Sequence, residues 1–288
     1  MKVLTTTHAY MIAPSLVKKD RTLKWFKKYH KYLSLIFIFF IFLFSISGIV
    51  LNHRELFSAV DVNRKCIPAM YRYNNWNLAA VKSQLKLADN SLLVYGNIGV
   101  WKTDSSYKTF SDFNNGFSAG IDNRKIFSLI QTTNQRLLAG TLFGLYEYKA
   151  GWQKLELPVK EERIVKILEK GDSLLVMTRS NLLLANTTSA NLVFRKINIP
   201  AGEDYDNKVS LFKTLWIIHS GEIYGMAGRL LIDAVGLVFI IITLTGFFYW
   251  MAPHLLKRVK ESSKNGIKRV NKFSLKWHNR LGSWAILA

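Results

Sequence analysis

The sequence predicts a membrane protein of mixed α and β structure: a transmembrane helix bundle, with two full spans and the start of a third, carrying an extracytosolic all-β domain of propeller-like repeats. Three observations predict it. Leu33–Leu51 is an uncharged run of 19 residues, long enough to cross a hydrocarbon layer of roughly 30 Å at about 1.5 Å per residue. Leu230–Trp250 is a second apolar run with a single charge, Asp233. Between them the chain changes to short β-branched and aromatic runs separated by Gly, Asn, Asp and Ser, the texture of strands and turns. A wholly soluble protein is excluded.

Charge orders these pieces. The chain carries 40 Lys+Arg against 19 Asp+Glu, a net charge of +21 over 288 residues. Residues 1–32 hold +7 and residues 251–280 hold +8. Short basic segments beside apolar spans are the mark of cytoplasmic flanks. The pI near 10 would also suit a nucleic-acid binder, but this placement points to lipid headgroups, and no nucleic-acid partner is expected. The single cysteine, Cys66, excludes intramolecular disulfides, cysteine-ligated zinc and iron–sulfur clusters within one chain.

Residues 1–32 read as a basic cytoplasmic lead and 33–52 as the first transmembrane helix. That helix is an uncleaved anchor, because its run exceeds a signal-peptide core and no small-residue cleavage pattern follows. Residues 53–210 read as the β-repeat domain, with helical periodicity only around 76–88. Leu92–Trp101 is echoed by Leu137–Tyr146 and more weakly by Leu174–Leu183. Each copy reads strand–turn–strand, and the turn positions fall 45 and 37 residues apart. That period resembles a propeller blade; the alternative is a plain antiparallel meander. Trp101 and Trp152 read as its core.

Residues 211–252 read as a helix containing the second span, in which Arg229 and Asp233, four apart, are placed to pair. Gly221, Gly225 and Gly228 would share one face of that helix, open to a neighbouring helix or a flat macrocycle. Residues 253–276 read as a basic cytoplasmic loop. The run Lys276-Trp277-His278-Asn279-Arg280-Leu281-Gly282 repeats the entry to the first span, Lys28-Tyr29-His30-Lys31-Tyr32-Leu33-Ser34. Residues 277–288 therefore read as the truncated start of a third span, and the sequence as the amino-terminal part of a longer protein. A short amphipathic tail on the membrane surface is the alternative.

Five of the six histidines, His30, His53, His219, His254 and His278, sit at or near span ends. Imidazole is the usual haem-iron ligand, and two histidines on facing helices hold a haem in a bundle. His30 and His278 occupy matching positions and are candidates for one inner haem; the competing reading seats them at the headgroups with Trp25, Tyr29, Tyr32 and Trp277. His219 is the candidate for an outer haem, with a partner elsewhere in the protein. His53 is a weaker candidate, since 23 helical steps from His30 leave it about 140° around the helix. His254 reads as interfacial, and His8 carries no signal.

These residues resemble the PepSY-associated transmembrane helix family of bacterial membrane proteins. The matching pieces are Trp25 and His30, then Ser47-Gly48-Ile49-Val50-Leu51-Asn52-His53. Further along they are His219-Ser220-Gly221 with Gly225 and Gly228-Arg229, Leu244-Thr245-Gly246, and Trp277-His278-Asn279-Arg280-Leu281-Gly282. The resemblance implies a multi-pass protein of the bacterial inner membrane, and some members are ferric-siderophore reductases that bind haem b. It carries His30, His219 and His278 over as haem-iron positions. In the outer segment no PepSY module is evident, and the propeller-like repeats stand in its place. Two functions are therefore expected. One is haem-b-mediated electron transfer from a cytoplasmic donor to a ferric siderophore outside; the other is a non-enzymatic, membrane-anchored sensor or binding protein whose β-domain docks a partner.

Overall fold

The computed structural model describes residues 14–71, 80–160 and 163–287. They fall into two units: a helical one that takes the chain up to Asn52 and again from Lys208, and a β unit of residues 53–207.

In the helical unit, α1 (Pro14–Asn52) is followed after the β unit by α2 (Leu211–His219), α3 (Gly225–Leu256) and α4 (Glu261–Leu287). Two stretches, Arg21–Asn52 and Glu222–Leu256, are long and apolar enough to cross a membrane. Their side chains are not gathered into a core: Ile36, Phe39 and Phe44 are more than 60% exposed. Apolar surface on every side of a helix fits a hydrocarbon solvent, in which a helix also satisfies each backbone polar group internally. α1 and α4 each pack along α3 rather than along one another. Gly236 opens α3 to α1, since a Cβ there would stand 3.3 Å from the Ile49 side chain. One turn away, Asn52 Nδ2 donates to Asp233 Oδ1 at 3.0 Å, which provides the buried carboxylate with a partner on the other span. Arg229 lies 3.4 Å from Glu222.

Two sequence expectations change here. Residues 211–252 do not form one helix. α2 ends at His219, and Gly221 and Gly225 both take positive φ (73° and 62°) around a 3-10 turn, Glu222–Tyr224, before α3 begins. A Cβ on Gly221 would strike the Gly228 carbonyl, and one on Gly228 the Gly221 carbonyl. The three glycines thus fold the chain back on itself and do not share a helix face. Residues 253–276, expected as a loop, are helical except for Lys257–Lys260. α3 and α4 form an antiparallel hairpin in which Ser274 is buried and Ile267, Asn271, Leu275 and His278 are half-buried.

The β unit is three four-stranded antiparallel meanders. The first holds β1 (Ser83–Lys86), β2 (Leu92–Gly96), β3 (Gly99–Thr103) and β4 (Phe110–Asp112). The second holds β5 (Ile126–Gln131), β6 (Leu137–Thr141), β7 (Leu145–Tyr148) and β8 (Trp152–Leu155). The third holds β9 (Ile164–Lys170), β10 (Ser173–Thr178), β11 (Leu182–Asn186) and β12 (Arg195–Ile197). The three sequence echoes are the second and third strands of each sheet. Of the stretch 76–88, residues 76–79 lie outside the described residues and 83–86 are strand β1.

Alternation along the strands builds two cores. Leu93, Tyr95 and Val100 of the first sheet meet Leu129, Leu137, Ala139 and Trp152 of the second. The second sheet's opposite face sends Leu138 and Leu145 against Ile164, Ile167, Leu174 and Val176 of the third. The middle sheet is therefore covered on both sides, and all of β6 is buried. Trp152 is 2% exposed; its Nε1 donates to the Phe113 carbonyl at 2.7 Å, and its ring stacks on Phe117. Trp101 is only half-buried, on the face turned away from that core.

Candidate functional site

Of the predicted site residues, the structure brings His30 and His278 together: their ring centres lie 6.2 Å apart, with the planes inclined at 55°. His30 projects from α1 and His278 from α4, the two helices that flank α3. Two imidazoles bonded at about 2.0–2.1 Å to opposite sides of one metal ion have ring centres roughly 6.3 Å apart. The separation of the pair is close to that distance.

The surroundings of His278 prepare it for such a role. Its Nδ1 lies 3.0 Å from the Ile242 carbonyl oxygen. A carbonyl only accepts, so Nδ1 carries the proton and donates it. In a neutral ring this leaves Nε2 as the nitrogen with a lone pair to offer a metal. The contact exists because residue 246 is glycine: a Cβ there would stand 2.8 Å from Cε1 and 3.1 Å from Nδ1 of the ring. Ile242 and Gly246 belong to the apolar run that ends at Trp250, which places His278 beside the membrane-crossing part of α3. On the other side, Ser34 Oγ lies 3.5 Å from His30 Nδ1. Around the pair, Trp25 packs on Tyr29, Phe273 on Trp277, and the Arg280 guanidinium lies over the Trp277 ring.

The remaining histidines are elsewhere. His219 is exposed at the last residue of α2, and no histidine of the helical unit faces it among the described residues. His53 follows the last residue of α1 and falls in the β unit. His254 packs against Trp250, with Nδ1 3.3 Å from the Trp250 carbonyl oxygen. His8 lies outside the described residues. No group of three or more His, Cys, Asp or Glu suited to a metal ion occurs among the described residues.

Sequence reasoning found both histidines through the repeated motif at the two helix entries. It missed the role of the Ile242 carbonyl and saw Gly246 only as part of a short motif. A backbone acceptor has no residue signature, and a glycine in an apolar helix looks like any other small residue.

A solved structure described as "Structural and functional probing of PorZ, an essential bacterial surface component of the type-IX secretion system of human oral-microbiomic Porphyromonas gingivalis" is 15% identical, with a TM-score of 0.32. The match covers 43% of this chain and 17% of that one, so this chain spans about a sixth of its length. Among curated proteins, none matches. The sequence model of the PepSY-associated TM region matches residues 3–252. With two helices able to cross a membrane, the chain is a membrane protein that belongs to the PepSY-associated TM family.

Proposed function

We propose that this protein holds haem b between His30 and His278 and relays single electrons across the bacterial inner membrane, in support of ferric-siderophore reduction outside the cytoplasm. The observation that carries the reading is the 6.2 Å separation of the two rings on two helices that both pack on α3. Held between two imidazoles, haem b would supply one-electron transfer. His278 would offer Nε2, held in that tautomer by the Ile242 carbonyl. His30 would offer the opposing nitrogen, steadied by Ser34. Gly246 leaves the width that the His278 ring occupies.

The orientation proposed is the one the basic flanks favour, with residues 1–32 and 251–280 on the cytoplasmic side. α4 would then begin a third span that returns into the bilayer beside α3, and the β unit, propeller-like in its three repeated meanders, would lie outside. Reduction there would release iron from its chelate, because Fe²⁺ is a softer ion than Fe³⁺ and is held less well by hard oxygen ligands. The test is an absorption spectrum of the purified full chain before and after dithionite. Sharp reduced bands of a six-coordinate b-type haem, lost in His30→Ala and in His278→Ala, are expected. A colourless protein from haem-replete cells refutes the proposal.

A second reading is favoured by the β unit, which has two hydrophobic cores of its own: the helices only anchor a binding domain. It predicts that the two alanine variants leave iron reduction by cells unchanged, while deletion of residues 53–207 abolishes partner capture.

A further inference from the structure

The first strands of the three meanders converge, β5 lying beside both β1 and β9, and they bring three residues together. Lys82, just before β1, sets Nζ 4.2 Å from the centre of the Phe127 ring on β5. Arg163, just before β9, sets its guanidinium carbon 4.7 Å from the same centre. Two cations from different sheets thus share one aromatic ring. Among the described residues no carboxylate neutralises either of them. The nearby Asp122 is taken by Arg54, whose Nε and Nη2 donate to its two oxygens at 2.7 and 3.0 Å, and by Lys125 at 2.6 Å. Both Lys82 and Arg163 are solvent-exposed.

From this geometry we infer that Lys82 and Arg163, seated on Phe127, form a binding site for a small oxyanion with two or more negative charges, a polycarboxylate or a phosphate. Each cation gains a little from the ring face, but their mutual repulsion meets no opposing carboxylate among the described residues, and a multivalent anion bridging them supplies the compensation. The crowding has a second sign: burial and the charges of Lys125 and Arg163 hold the Lys82 amine below its ordinary range. The guanidinium offers paired N–H donors to a carboxylate or phosphate edge, and the ammonium adds a mobile point charge. The site lies wholly in the β unit and stands whether or not the helices hold haem.

The test is titration of the purified full chain with citrate, ferric citrate and inorganic phosphate at constant ionic strength, followed by calorimetry and by thermal melting. At least one of the three binds and raises Tm, and the arms tell a polycarboxylate, free or iron-bearing, from a phosphate. Lys82→Gln and Arg163→Gln each weaken that binding by about tenfold or more. Each also raises the Tm of the anion-free protein, because relieving repulsion stabilises it, whereas Lys196→Gln on β12 changes neither. The inference is overturned if none of the anions binds more tightly than chloride at equal ionic strength, or if both variants keep the wild-type affinity.

Discussion

Replacing Gly246 with alanine adds one methyl group at the point where the His278 ring rests on α3. The new Cβ would stand 2.8 Å from Cε1 and 3.1 Å from Nδ1, against an ordinary carbon contact of about 3.5–4.0 Å. The ring must retreat by roughly half an ångström or more, and the 3.0 Å hydrogen bond to Ile242 then stretches to about 3.5 Å, where such bonds fail. That loss removes about 1 kcal/mol directly and frees the imidazole to exchange tautomers. Loss of an outer-shell partner of a metal-bound histidine ordinarily weakens metal affinity about 10–100-fold. The assay is haem content per polypeptide together with the midpoint potential of the purified full chain. Gly266→Ala, on α4 with nothing within 4 Å of the added carbon, serves as the control and, for the proposed haem site, leaves haem content unchanged. If Gly246→Ala retains haem with unchanged affinity and potential, then the glycine does not position His278 and the tautomer argument fails.

Three more outcomes follow from the packing and the charges. Trp152→Ala empties the centre of the first core and unpairs the Phe113 carbonyl, so it should cost about 3–5 kcal/mol, read as a fall in the β unit's melting temperature by near-ultraviolet dichroism. Asp122 has its carboxyl pulled down to about 2, chiefly by the hydrogen bond from Arg54 and against the opposing effect of burial. Its folded value lies below the unfolded one, so the stabilisation is complete above about pH 4 and fades as pH falls through about 2. Because both partners are partly exposed, about 1 kcal/mol remains after screening, and Arg54→Gln should remove most of that difference between melts at pH 6 and pH 2.5. Asn52→Leu strips the Asp233 carboxylate of its 3.0 Å donor; about 1–3 kcal/mol of span pairing is expected to go with it, measured as proteolytic release of α1 in mild detergent.

What the sequence announces, and what it hides, divides along one physical line. The spans are legible because lipid demands an unbroken apolar run, and Leu33–Leu51 has no charge to confuse the reading. The meanders are legible because each must make the same hairpin, so β2–β3, β6–β7 and β10–β11 keep related residues at related places. α4 was hidden by its own chemistry. The face it turns to α3 carries Asn271, Ser274 and His278 among Ile267 and Leu275, so its helical period is present but is carried by few apolar residues in a basic, polar segment that reads as a loop. The break between α2 and α3 was hidden for a related reason: Gly221, Gly225 and Gly228 have the spacing of a helix face, yet positive φ at the first two turns the spacing into a fold-back.

The candidate site follows the same division. His30 and His278 stand in matched motifs because each precedes an apolar run with aromatic and basic flanks, and that likeness is visible in a single chain. Their meeting depends on α3, which neither motif mentions. The Ile242 carbonyl reaches His278 only because α4 doubles back in antiparallel register, and Gly246 matters only through the space that register leaves. Lys82, Phe127 and Arg163 carry this further, since Phe127 lies on the first strand of one sheet, Lys82 and Arg163 just before the first strands of the other two, and they share no local pattern at all. Where chemistry is assembled by register between distant elements, composition and spacing describe the parts, and the packing of one helix or strand against the next decides which parts act together. It follows that perturbing α3 at Gly246 should alter the His30–His278 pair as much as changing either histidine's own flanks, such as Ser34 or Trp277.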